Sequence, residues 1–408
     1  MLTFYPTFLL GAVFLLFPLA HLRLFPAIPL YLSEIPLLIA TGLWLSTPQV
    51  KTRLRGLLLR ERSLVLASSL FLGGALMALF MSQEPLLSLG LLKSFIILPL
   101  LFMGLLSLGV RTEAETRHLL TFWWWGVLAS AFAALLLSFL GVVTYDGRQS
   151  SLYASPNHLA MLLAPGVLIG IYLSATCLGR GRTGYRVGTL LILFALFETH
   201  SYASLGALFL SILMLFFPFR KDPWAYGKPA FLLGALLLGL WFFLETPTAK
   251  FQSLLDLEGR SSSASRLMIW EAAGKISLDH FPWGIGLGRF QQHYLEYQKY
   301  FPPYLEWAVP EPHNLLLALF LSTGFLGLLG FIWVFFEVGG RLYRTICSPT
   351  ERGDQLQGKL YLSLLIWFLV VGLVDTPYFK NDLALAWWGL IGLSVAWLTS
   401  RAASTTTS

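Results

Sequence analysis

Apolar residues fall in long blocks along this chain instead of alternating with polar ones. Twelve stretches are nearly free of charge, at about 4–20, 28–46, 63–81, 88–108, 119–143, 157–178, 187–199, 202–218, 229–245, 314–337, 360–375 and 383–400. A bilayer core about 30 Å thick takes about 20 such residues per helix, and lipid-facing backbone satisfies its polar groups only as helix or closed barrel. The pattern predicts an all-α, polytopic membrane protein of about 12 transmembrane helices, a single transmembrane domain over 1–408. The run from Phe4 to Ala20 has no basic lead and no small-x-small cleavage site before His21, so it reads as a retained first span. The short seventh and eighth stretches meet at Glu198-Thr199-His200-Ser201-Tyr202. A polar turn there is expected at membrane depth, where irregular backbone survives only if it is buried in protein or lines a wet cavity.

Residues 246–312 form the only sizeable segment between spans, and they are too few for an independent core. Two or more helices are expected there, lying over the bundle. Ser263 or Ser265 is placed to cap one running through Leu267, Trp270 and Gly274 to about Asp279. After a Pro- and Gly-rich break, Arg289 to Phe301 reads as a second, aromatic-rich helix suited to the membrane interface. No internal repeat is evident.

Composition narrows the class. Of 408 residues, 56% are apolar and 12% charged, which leaves too little polar surface for a soluble enzyme, a disordered chain or a nucleic-acid binder. The formal charge is +7, with 28 basic and 21 acidic residues. Sorting by loop accounts for the surplus. The even-numbered connections and the C-terminus hold 18 basic residues, whereas the short odd-numbered connections hold three, Arg23, Arg148 and Lys380. The positive-inside rule then predicts that both termini are cytoplasmic and that the odd loops, with 246–312, face outward. Cys177 and Cys347 lie near basic loops and read as free thiols.

The remaining polar residues converge on the outward side. Arg148 lies in an outer connection, Ser155-Pro156-Asn157-His158 opens the sixth span, and Lys93 sits about one turn inside the fourth. The long loop adds Arg260, Arg266 and Arg289, and His313-Asn314 opens the tenth span. Arginines beside an imidazole suit a phosphate or diphosphate ester: guanidinium binds phosphate bidentately, and a neutral imidazole accepts a proton near pH 7. No Asp-rich or His/Cys cluster argues for a metal. Blander readings stand beside these. Lys93 snorkels to the interface, Arg148 and Arg260 are solvated loop charges, Arg289 ends a turn after Gly284, Gly286 and Gly288, and His158, His200, His280 and His293 are structural.

The ordered series Ser265-Arg266-Leu267-Met268-Ile269-Trp270, Asp279-His280-Phe281-Pro282-Trp283-Gly284-Ile285-Gly286-Leu287-Gly288-Arg289-Phe290 and Glu311-Pro312-His313-Asn314 resembles the O-antigen ligase and polymerase (Wzy-type) family of bacterial envelope glycosyltransferases. Ser155-Pro156-Asn157-His158-Leu159-Ala160 is a second match, and the span layout extends the likeness over essentially the whole chain. The resemblance implies a GT-C-like enzyme of the inner membrane that needs neither metal nor cofactor and works at the periplasmic face. The implied donor is a glycan on undecaprenyl diphosphate and the implied acceptor a sugar hydroxyl of lipid A–core, with membrane lipids, and no nucleic acid, as the other partners. By position, His313 corresponds to the catalytic base and Arg266 to the diphosphate-binding arginine, with Asn314 in support. Where many relatives carry Ser-Arg-Gly, this chain has Ser201-Tyr202-Ala203, so a second arginine is missing, and Arg148, Arg289 or Lys93 is left to supply the charge. Other readings are a Wzy-type polymerase, a protein O-oligosaccharyltransferase and, in another class, a transporter; for the last, Glu198 is the main candidate for a buried charge.

Overall fold

The computed structural model describes residues 4–24, 30–48, 50–82, 84–217, 261–301, 309–348 and 352–405, together with 239, 246 and 251–252. The described chain is helical, with one isolated bridge between Arg23 and Tyr31 as its only extended pairing. Its elements are α1 (Phe4–Leu15), α2 (Glu34–Leu45), α3 (Val50–Arg60), α4 (Arg62–Phe80), α5 (Pro85–Gly109), α6 (Glu113–Phe139), α7 (Pro156–Thr176), α8 (Gly179–Phe197), α9 (Tyr202–Phe216), α10 (Ser262–Asp279), α11 (Phe290–Tyr297), α12 (Leu315–Cys347), α13 (Arg352–Gly372) and α14 (Asn381–Thr405).

Eleven of the twelve apolar stretches lie on these helices, and the ninth, 229–245, falls outside the described residues. Seven helices of the described chain are long and apolar enough to cross a membrane, and α2 and α9 are shorter apolar ones. Seven such helices among the described residues make this a polytopic membrane protein, a coarser statement than the about 12 spans expected. Two further differences have local causes. The seventh stretch is not short, because α8 continues back to Gly179 through Arg180, Arg182 and Arg186, residues that hydropathy reads as loop but that have good helix propensity. The basic connection before α4 is itself a helix, α3.

Polar residues fix where helices begin. Thr112 and Glu115 form a reciprocal capping box at α6, Ser155 accepts from the His158 amide at α7, and Asn314 accepts from the Leu317 amide at α12. The cap of α10 is Ser261, two residues before the earlier of the expected serines, and it accepts from the Ala264 amide. Small residues let α4 and α12 cross closely. A Cβ on Gly74 would meet the backbone of Thr323 and Gly327, and one on Gly330 the backbone of Ala67 and Phe71. The core beside this crossing is aromatic: Trp387 stacks on Phe331 and Phe368 at centroid distances of 4.8 and 4.2 Å.

The glycine-rich turn after α10 has a packing role. α12 is interrupted at Gly324, whose φ of 68° breaks the helical ladder. The Leu321 carbonyl, released by that break, accepts the amides of Ile285 (2.7 Å) and Gly286 (3.1 Å), and the Phe325 amide donates to the Pro282 carbonyl at 2.8 Å. At Gly284, φ is +74° and a Cβ would stand 2.6 Å from the Phe320 and Leu321 carbonyls, so only glycine fits. This turn latches the segment after α10 onto the first part of α12, the element entered through His313.

Candidate active site

A cavity of about 1150 Å³ opens where helix ends meet. It is lined by Arg148 and Asn157, by His200 to Ala203 of the α8–α9 turn, by Arg266 and Trp270 of α10, and by His313. The polar turn between the seventh and eighth stretches thus lines a cavity. It is tied to the connection between α6 and α7 by the Gln149 amide, which donates to the Glu198 carbonyl at 3.0 Å.

His313 stands at the entrance to α12 with φ +48°, a left-handed conformation uncommon outside glycine. Three contacts hold this segment in place. The Trp270 indole N–H donates to the His313 carbonyl at 3.2 Å, Asn314 donates to the Leu373 carbonyl at 2.9 Å, and Glu311 forms an ion pair with Lys380. The last two contacts join the His313 segment to the connection between α13 and α14, which carries Asp375.

Asp375 organises the site. Its Oδ1 lies 3.1 Å from His313 Nδ1 and accepts the Thr376 amide at 2.8 Å. Its Oδ2 accepts from Asn157 Nδ2 at 3.0 Å and lies 3.7 Å from Arg266 Nη2. Burial alone would raise the carboxyl pKa. The His313 hydrogen bond and charge, the Arg266 charge and the Thr376 amide outweigh burial and hold it at about 2. An ionised carboxylate on Nδ1 favours the tautomer with the proton on that nitrogen. Nε2 is then the ring nitrogen with a lone pair for a substrate proton, and the His313 side chain is 37% exposed on the cavity.

Arg266 donates Nη1 to Ser262 Oγ at 3.0 Å, one turn back on α10, while its buried Nε has no hydrogen-bond partner among the described residues. A buried guanidinium donor left unsatisfied is costly and is what an anionic ligand would relieve. Arg148 lies on the same cavity with Nε 2.5 Å from Asp146.

The structure therefore brings His313, Arg266 and Arg148 to one cavity and places the other candidates elsewhere. Lys93 begins a π-helical turn within α5, donates to Glu34 Oε2 at 2.6 Å and lies over the Tyr31 ring. Glu34 is 2% exposed and also accepts from Ser94, so Lys93 compensates a buried carboxylate. Arg289 pairs with Glu84 at 2.7 Å, away from the cavity lining. Asn314 does not line it and acts through its cap and its bond to Leu373. His158 bonds Asp382 at 3.0 Å in a separate buried pair, and Arg260 lies outside the described residues. Sequence reasoning missed Asp375. Its one signal is an acidic residue directly after the apolar run that ends at Val374.

Among the described residues no group of three or more His, Cys, Asp or Glu side chains has metal-binding geometry. No curated protein matches the chain. Residues 187–332 match the family described as O-antigen ligase, a segment that includes Arg266, the latch at Gly284 and His313 and stops short of Asp375. Its members are glycosyltransferase-like enzymes. Over that segment, which carries Arg266 and His313 of the cavity, this polytopic helical chain is similar to the O-antigen ligase family.

Proposed function

We propose that this protein is an O-antigen ligase of the bacterial inner membrane, with both termini cytoplasmic and the 246–312 loop and the His313 cavity facing the periplasm. It transfers a preassembled glycan from undecaprenyl diphosphate to a sugar hydroxyl of lipid A–core. The observation that carries the reading is the convergence of the His313–Asp375 pair and Arg266 on one cavity of about 1150 Å³, large enough for sugars of both substrates.

The acceptor hydroxyl gives its proton to His313 Nε2 as its oxygen bonds to the anomeric carbon. The carbon–oxygen bond to the diphosphate breaks, and undecaprenyl diphosphate leaves with the electron pair. Attack opposite the leaving group inverts the anomeric centre. Arg266 meets the charge that develops on the diphosphate, and Arg148, on the same cavity as Tyr202, supplies the second guanidinium. Asp375 stabilises the imidazolium that forms. Lys93 and Arg289 have structural roles through Glu34 and Glu84.

The test is reconstitution with a lipid-diphosphate glycan and lipid A–core. Wild-type protein should place glycan on the core, and His313→Ala should abolish transfer while leaving the protein in the membrane. Glycan chains that lengthen on the donor lipid alone would make the enzyme a polymerase. Full transfer by His313→Ala would remove the general-base role.

A further inference from the structure

The end of the bundle away from the His313 cavity carries a second polar site that the transfer reaction does not use. α12 runs from Leu315 beside the cavity to Arg341 and Arg344, roughly 40 Å away at 1.5 Å per residue. There Glu61, 4% exposed, sits between α3 and α4 and forms ion pairs with Arg341 and with Arg60 Nε, the latter at 3.1 Å. Ser63 donates to Glu337 at 3.0 Å. These groups and Arg344 line a cavity of about 520 Å³ that also includes Leu398 of α14. Arg344 donates Nε to the Gly340 carbonyl, and its Nη groups have no hydrogen-bond partner among the described residues.

No residue of α3 is buried. At helical spacing, Val50, Leu54, Leu57 and Leu58 share one side, with Lys51 and Arg55 on one edge and Arg53 and Arg60 on the other. Leu54 and Leu58 are exposed. An apolar stripe bordered by long basic side chains is what a helix lying in the headgroup layer presents, its Leu residues toward acyl chains and its cations snorkelling to phosphates. Residues 50–63 and 337–344 together hold seven basic and two acidic residues, and both carboxylates are already engaged, Glu61 by arginines and Glu337 by Ser63.

We propose that this face binds the headgroup of an anionic phospholipid, its phosphate meeting Arg344 and Arg60, which line the same cavity, and its acyl chains running along the exposed leucines of α3. Charge complementarity selects an anionic over a zwitterionic lipid. The apolar stripe beside the guanidinium groups selects a lipid over soluble phosphate.

The experiment titrates the full chain in detergent with dioleoyl-phosphatidylglycerol or dioleoyl-phosphatidylcholine and reads bound lipid by native mass spectrometry. Wild-type protein should bind phosphatidylglycerol in clear preference. Arg60→Gln and Arg344→Gln should each weaken that binding roughly fivefold, and the double variant about twenty-five-fold, whereas Lys51→Gln on the opposite edge of α3 should leave it unchanged. Both arginines are exposed and Arg341 keeps its pair with Glu61 in either variant, so thermal stability should hold, which separates loss of binding from loss of fold. Equal retention of the two lipids by wild type would overturn the proposal, as would a double variant that keeps the preference. Displacement of the lipid by millimolar inorganic phosphate would also overturn it and make the site one for soluble anions.

Discussion

Asp375→Asn separates the charge of the carboxylate from its shape. The amide fills the same space and can still bond Asn157, but it presents an N–H toward His313 Nδ1 where the carboxylate presented an acceptor. The imidazole then takes the other tautomer, with the proton on Nε2, where it cannot accept one from the acceptor hydroxyl. Loss of an oriented general base of this kind costs about 10²–10⁴ in rate, or about 3–5 kcal/mol of transition-state stabilisation. Arg266, freed from the charge 3.7 Å away, should bind the donor diphosphate as well as before or better. The expected signature in a reconstituted transfer assay is a fall in kcat of about a hundredfold or more with the donor KM unchanged or lower. A kcat within about threefold of wild type would refute the dyad. A raised donor KM with kcat preserved would mean that the carboxylate serves binding alone.

Arg266→Lys should fail almost as fully as Arg266→Ala, because an ammonium cannot make a bidentate contact; a donor KM raised about tenfold or more in both would show it. Acid stability should carry the mark of Asp375. With its pKa depressed to about 2, the ionised carboxylate stabilises the fold by roughly 2–3 kcal/mol above pH ~4, and this stabilisation is lost as pH falls through about 2. Thermal melts from pH 5 to 2 should show that loss in wild type and a shallower one in Asp375→Asn. Gly284→Ala places a Cβ 2.6 Å from two α12 carbonyls at positive φ and should cost about 2 kcal/mol or more, read as a lowered Tm. Trp270→Phe removes the donor to the His313 carbonyl and should lower kcat several-fold, with a loss of about 1 kcal/mol in stability.

The helices were legible in the sequence because lipid-spanning segments announce themselves by apolar length alone. The turn from Glu198 to Tyr202 was legible as well, since polar residues between two apolar runs have few permitted surroundings. What hydropathy misread were helices with charge on one side, α3 and the first turns of α8, where arginine suits a helix although it ends an apolar run. Within the site, the ordered motifs singled out His313 and Arg266. Asp375 stayed hidden because its partners lie 62 residues away at His313 and 218 away at Asn157, distances that only the fold closes. The pairings of Lys93 and Arg289 were hidden for the same reason. Glu34 and Glu84, the carboxylates that claim them, are 59 and 205 residues distant. In an interior of low dielectric the partner of a charge decides its role, and sequence order says little about the partner.

The separation of His313 from Asp375 along the chain also bears on biosynthesis. A ribosome delivers Arg148, Arg266 and His313 well before the connection between α13 and α14. A nascent chain that has emerged only through α12 therefore holds its imidazole without the carboxylate that orients it, and without the Leu373 and Lys380 contacts that seat the His313 segment. The His313–Asp375 pair is thus completed only when α13 and the connection after it have been made, so on the proposed function a chain that stops short of them should be inert toward lipid-linked sugars.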